Sequence, residues 1–155
     1  MKYIYRQFET TDYNKLKKLI KSYYQEDTTE KPIDSNKIQV TISELSSQPE
    51  KGNILIIEQE GLIIGYCILI NYWSNEYGGN LLHIDELYVL PEYREKGAGT
   101  SLIKYLVDNK YNNSVAIQVE VTALNKKAKK FYERNGFKIS NNSILLFENE
   151  MVKLD

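Results

Sequence analysis

Residues 87–100, Leu-Tyr-Val-Leu-Pro-Glu-Tyr-Arg-Glu-Lys-Gly-Ala-Gly-Thr, have the types and spacing richest in chemistry. An apolar strand is stopped by Pro91, a basic loop with two glycines follows, and a helix begins. Such a loop can turn several backbone N–H groups toward one point. The helix adds its unpaired first-turn N–H groups and the positive end of its dipole. Together they form a seat for a phosphate or diphosphate. Gly97 and Gly99 keep side chains out of the anion's path, and Arg94 and Lys96 add charge at the rim. The Gly-Lys-Ser/Thr ending of a P-loop is missing, as are the third glycine and the later ribose-binding acid of a dinucleotide fingerprint. Taken alone, the loop also reads as an ordinary turn before a helix.

Other chemistry is sparse. His83 is the only histidine and Cys67 the only cysteine. A metal site needs several converging ligands, and no Cys/His cluster exists. No G-x-S-x-G elbow accompanies His83, which reads as a strand histidine beside the site. Cys67 lies among Tyr66 and Ile68 to Ile70, so it reads as a buried structural thiol, a weak nucleophile. No internal disulfide can form, which fits a cytoplasmic, reducing compartment.

The positioning elements follow from periodicity. Residues 3–8 form a first strand. Asp12 is placed to cap a helix over about 13–25, with Leu16, Leu19, Ile20 and Tyr23 on one stripe. Beyond Pro32, Asp34 or Ser35 caps a second helix carrying Ile38, Ile42 and Leu45, ended by Pro49 and Gly52. Strands follow at 53–59, 62–73 and about 81–89, with turns at Glu60-Gly61 and Gly78-Gly79. The loop then leads to a helix with Leu102, Ile103, Leu106 and Val107. Residues 115–121 read as a strand, Asn125 caps a last helix, and one or two strands fill 137–147. This order gives an α/β domain with a mixed sheet, and residues 1–155 read as a single domain of ordinary size.

The balance of 20 basic and 21 acidic residues, a net charge of −1, supplies no footprint for nucleic acid. No apolar run approaches the ~20 residues needed to span a membrane. The first residues turn charged too early for a signal peptide. With 42% hydrophobic residues, the chain can bury one sizeable core.

Arg94-Glu95-Lys96-Gly97-Ala98-Gly99 resembles the Arg/Gln-x-x-Gly-x-Gly/Ala signature of the GNAT superfamily of N-acetyltransferases. Asp85 to Tyr93 resembles that superfamily's fourth strand and its exit. Asn125-Lys-Lys-Ala128-Lys-Lys-Phe131-Tyr132-Glu-Arg-Asn-Gly136-Phe137 resembles its Asn-x-x-Ala-x-x-Phe-Tyr-x-x-x-Gly-Phe motif. The resemblance implies a mixed, mostly antiparallel sheet, splayed at the cofactor strand, with helices on both faces. It implies acetyl-CoA as cofactor and direct acetyl transfer to a primary amine. Backbone amides over Lys96, Gly97, Ala98, Gly99, Thr100 and Ser101, with Arg94 and Glu95, would hold the diphosphate. The pantetheine arm would pair with Leu87, Tyr88 and Val89 as an added strand, and a backbone N–H near Leu87 would polarise the thioester carbonyl. Asn125 would touch the pantetheine, cap its helix, or do both. Tyr132 would protonate the departing thiolate.

An ammonium must lose a proton before it attacks. Asp85 and Glu86 adjoin the reacting strand and point to opposite faces, and either is the expected base. Aromatic and acidic residues offer an acceptor pocket: Tyr24, Glu26 and Asp27 after the first helix, Trp73 and Glu76 in the second loop. They suit a small cationic amine through charge and cation–π contact, and these segments resemble diamine and polyamine acetyltransferases. A polyamine or basic amino-acid analogue is therefore the expected partner. An aminoglycoside-like antibiotic and a protein N-terminus or lysine are alternatives, as is a module that binds acetyl-CoA without turnover. The resemblance also admits a homodimer.

Overall fold

The computed structural model describes residues 2–27 and 31–149. In chain order they form β1 (Tyr3–Gln7), α1 (Tyr13–Glu26), α2 (Ser35–Ser47), β2 (Gly52–Gln59), β3 (Leu62–Ser74), β4 (Gly79–Val89), α3 (Ala98–Asp108), β5 (Ser114–Val119) and α4 (Lys126–Arg134). The sheet runs β1-β2-β3-β4-β5. Its first three pairings are antiparallel and β4–β5 is parallel, so the mixed, mostly antiparallel sheet is borne out.

β2 shows why the sheet takes helices on both sides. Its run Ile54-Leu55-Ile56-Ile57 has no polar alternation, which suits a strand buried on both faces. Ile54 and Ile56 pack with Leu16, Leu19 and Ile20 of α1 and Ile38, Ile42 and Leu45 of α2. Leu55 and Ile57 pack with Leu102, Ile103 and Leu106 of α3 and with Tyr132 of α4. Asp34 caps α2 by accepting the Lys37 N–H at 2.8 Å.

Asp12 does not cap α1. Its carboxylate is taken by Arg6, at 2.7 and 2.9 Å, and by the Glu9 N–H at 2.8 Å. Arg6 also reaches Glu58 at 2.6 Å, tying the ends of β1 and β2 to the start of the first helical segment. The forked guanidinium outcompetes the cap because it offers two charge-assisted bonds at once. This pairing, made first by the Arg6 hydrogen bond, holds the Asp12 carboxyl below its ordinary range. A depressed carboxylate stabilises the fold above its unfolded value, near 4, and that contribution is lost as pH falls through the folded value. Asp12→Asn is therefore expected to lower stability by about 1–3 kcal/mol at pH 7. The deficit should shrink in acid below pH ~4, a trend that denaturant titrations at pH 7 and pH 3 would read.

Two expectations at the far end fail. β5 stops at Val119 rather than Val121, and residues 137–147 form no strand. The run Ile144-Leu145-Leu146-Phe147 is apolar without alternation, a pattern for a strand covered on both faces. α1, α2 and α3 make their main sheet contacts with β1 to β4. These four residues are 66–95% exposed.

The parallel β4–β5 pairing runs only from Asn80–Ser114 to Ile84–Val119. Beyond it β4 continues to Val89, paired with β3 alone. The expected splay is present, and residues 85–89 have an open edge.

Candidate active site

The glycine loop owes its shape to two left-handed residues. Glu95 has φ +62° and Gly97 φ +93°. Gly97 is the residue at which the chain enters α3, and only glycine takes that φ without strain. The first bond of α3 runs from the Ser101 N–H to the Gly97 carbonyl at 2.9 Å. The amides of Ala98, Gly99 and Thr100 thus have no acceptor within the helix. The loop carbonyls are held back by β1: the Tyr3 hydroxyl donates to Lys96 at 2.6 Å and the Tyr5 hydroxyl to Ala98 at 3.1 Å. Neither tyrosine is apparent from the loop sequence, although Tyr3 and Tyr5 share one face of a strand by their spacing. Gly99 lies against the Phe131 ring of α4: a Cβ there would sit 2.9 Å from Cζ.

The loop forms one wall of a cavity of about 710 Å³, within the range of cofactor sites. Leu87, Val89, Arg94, Glu95, Gly97, Ala98, Gly99, Thr100, Asn125 and Tyr132 all line it. Tyr88, Lys96 and Ser101 do not. Tyr88 alternates to the other face, and the Lys96 ammonium lies 5.7 Å from the Tyr93 ring centroid. Sequence reasoning missed Tyr93, Lys127, Ala128, Phe131 and Arg134 on the same walls. The basic run of α4 was the signal for Lys127 and Arg134. Amides at a helix start, with Arg134 and the Glu95-paired Lys127 on the same walls, are a donor set that fits a diphosphate.

Asn125 caps α4 by accepting the Ala128 N–H at 3.0 Å. Tyr132 is buried, its ring 4.9 Å from Phe131 and 5.2 Å from Phe137 between centroids. Burial, first of all, pushes its phenol well above the ordinary tyrosine value. It therefore stays protonated, and a hydrogen-bond donor, across neutral pH.

Beside this cavity lies a second, of about 420 Å³, walled by Tyr23, Glu26, Asp27 and Tyr88. Leu87, Val89, Arg94 and Asn125 line both. The cavities thus meet on the open edge of β4. The Leu90 N–H donates toward β3, to Ile64, at 2.8 Å. By alternation the N–H and C=O groups of Leu87 and Val89 face the open side. The strand is seated by a close approach: a Cβ on Gly65 of β3 would lie 2.3 Å from the Tyr88 carbonyl oxygen.

Asp85 and Glu86 do not alternate as expected. The β3–β4 register shifts between Ile68, opposite Glu86, and Leu69, opposite Ile84, so Asp85 sits at a bulge. Its half-exposed carboxylate lies 3.7 Å from His83 Nε2. Glu86 is buried at 7% exposure. It accepts the Tyr24 hydroxyl on one oxygen and the Tyr66 hydroxyl on the other, both at 2.7 Å. Neither carboxylate is on the walls of these two cavities. Tyr66 has its phenol driven up by burial and by Glu86.

Trp73 and Glu76 are not brought to the site. Trp73 pairs with Asn80 at the opposite end of β4 and is 71% exposed. From Asn80 to Leu87 is about 23 Å along a strand. His83 stays on β4, its ring 3.2 Å from Gln118. Cys67 is fully buried, and burial drives its thiol far above the ordinary value.

A family model described as an acetyltransferase (GNAT) domain matches residues 50–139. The chain belongs to the GNAT acetyltransferase family. An uncharacterised N-acetyltransferase of Mycobacterium bovis is 28% identical over 70% of this GNAT chain and 66% of its own length. The chain thus spans slightly under two thirds of that relative. A mouse thialysine N-epsilon-acetyltransferase is 32% identical over 48% of the chain and 44% of its own length. In fold, a possible acetyltransferase from Clostridium difficile 630 superposes with a TM-score of 0.83 at 23% identity, covering 95% of this chain and 97% of that one. Among the described residues of the GNAT chain no helix is long and apolar enough to cross a membrane.

Proposed function

We propose that this chain transfers the acetyl group of acetyl-CoA directly to the primary amine of a small cationic acceptor, in the cytoplasm. The observation that carries the reading is the open edge at Leu87 and Val89, shared by a cofactor-sized cavity and a smaller one walled by Glu26 and Asp27. Acetyl-CoA supplies the activated acetyl thioester. The amides of Ala98, Gly99 and Thr100 hold its diphosphate, and the edge of β4 aligns the pantetheine arm. The Leu87 N–H faces the carbonyl where negative charge develops, a fixed donor already in place. Tyr132 donates its proton to the leaving sulfur.

Glu86 is the carboxylate assigned to the acceptor's proton. Tyr24 already donates to it, so a proton relayed from the amine to the Tyr24 oxygen would be matched by the Tyr24 proton passing to Glu86; Tyr24 itself is on the walls of neither cavity. Asp85 is turned to His83 instead. Two acidic residues, Glu26 and Asp27, close α1, where the helix dipole is negative as well. With the rings of Tyr23 and Tyr88 they make a wall for an ammonium group. The mouse relative acts on thialysine, a basic amino-acid analogue, and that agrees with the charge of this wall.

The test is release of free thiol from acetyl-CoA in the presence of diamines, polyamines, lysine analogues, aminoglycosides and peptides. Turnover with small cationic amines and none with neutral amines of equal size supports the reading. Binding of acetyl-CoA without turnover on any amine would leave a binding module instead.

A further inference from the structure

Arg94 opens the glycine signature, yet its charge is turned away from the phosphate cradle. Nε donates to the Val89 carbonyl at 2.7 Å and Nη2 to Glu26 at 2.7 Å. The guanidinium lies over Tyr88, 5.1 Å from the ring centroid. Tyr88 in turn donates to the second Glu26 oxygen at 2.7 Å. Arg94 therefore covers an acceptor on the strand edge and neutralises an acid of the smaller cavity.

Both contacts conflict with a loaded site. An arm adding to β4 as a strand needs the Val89 carbonyl. A cationic acceptor needs Glu26, whose charge is already paired. The pair is a third to nearly half exposed, 33% for Arg94 and 43% for Glu26, so it is worth a factor of only about two to five. A diphosphate offers the same guanidinium a bidentate, doubly charged partner.

We propose that Arg94 exchanges partners as the cofactor binds, and that this exchange couples the two halves of the site. The diphosphate draws the guanidinium off Val89 and Glu26. That move uncovers the strand edge for the arm and Glu26 for the acceptor's cation. Cofactor binds first, and Glu26 becomes the charge-selecting residue only afterwards. By linkage, an acceptor cation at Glu26 also tightens the cofactor. The inference rests on the larger cavity being the coenzyme A site.

The test is a double-mutant cycle on coenzyme A affinity, measured by calorimetry on the full chain. Both side chains are partly exposed, and thermal melting checks that the variants fold. Glu26→Gln frees Arg94 and should tighten coenzyme A about two- to fivefold. In an Arg94→Ala background, where the cradle amides still hold the phosphates, the same change should have no effect. Unchanged or weaker binding by Glu26→Gln overturns the exchange. So does equal tightening with and without Arg94, since removing one negative charge near a polyanion would do that at a distance. If the unmodified protein fails to bind coenzyme A at millimolar concentration, the proposed function itself falls. Binding with a flat cycle removes the exchange alone.

Discussion

Tyr132→Phe is expected to lower kcat about a hundredfold or more while leaving the dissociation constant of coenzyme A within about twofold. The phenylalanine ring keeps the contacts with Phe131 and Phe137, so the wall of the cavity survives and only the hydroxyl is lost. Burial holds that hydroxyl protonated well past neutral pH. It is a weak acid in the resting site, and the proposed role asks of it only a donor placed where a thiolate would form. Steady-state kinetics with the best amine of the thiol-release panel, beside calorimetric titration of coenzyme A, separates the two quantities. A kcat unchanged while acetyl transfer itself is the slow step would take Tyr132 out of the chemistry.

Gly97→Val is expected to weaken coenzyme A binding at least tenfold. The space around Gly97 is open, with nothing within 4 Å of an added Cβ, so a clash is not the cause. The cost is the backbone: a β-branched residue at φ +93° is strained by about 1–2 kcal/mol or more. The chain relieves that strain by rotating the peptide that aims the amides of Ala98 and Gly99. Because these donors act together, a small rotation removes several bonds to one ligand. Folding should be affected by no more than the strain itself, since the loop is a surface feature. Calorimetry gives the affinity and a thermal melt gives the stability. Affinity within twofold of the unmodified protein would place the phosphates elsewhere.

The glycine loop and the helix it opens were legible because their signals are local. Two glycines, a basic flank and the stripe of Leu102, Ile103 and Leu106 fall within one turn and one helix. The motif at Asn125 and Phe131-Tyr132 was legible for the same reason. What escaped depends on register or on distant partners. A single bulged residue, Asp85, cancels the alternation assumed for Asp85 and Glu86. No local pattern marks Arg94 for Glu26, 68 residues away, or Tyr3 for Lys96. Asp12 looked like a cap until Arg6 claimed it from the neighbouring strand. Trp73 and Glu76 were misplaced for a simpler reason. Strand lengths already put that hairpin tip at the wrong end of β4, and strand arithmetic would have removed them. The strands expected within 137–147 fail because the apolar run at Ile144 demands cover on both faces and lies exposed.

The contact between Gly65 and the Tyr88 carbonyl bears on redesign of the acceptor site. Any side chain at position 65 would drive β3 and β4 apart, and β4 is the ruler along which both ligands would be measured. Libraries aimed at new amines that vary Tyr23 or Asp27 deform a wall, and at Tyr23 they also give up ring contacts with Tyr24 and Tyr88. A change at Gly65 would move the origin of every distance in the site. A variant library should therefore hold that glycine constant even though it touches neither cavity.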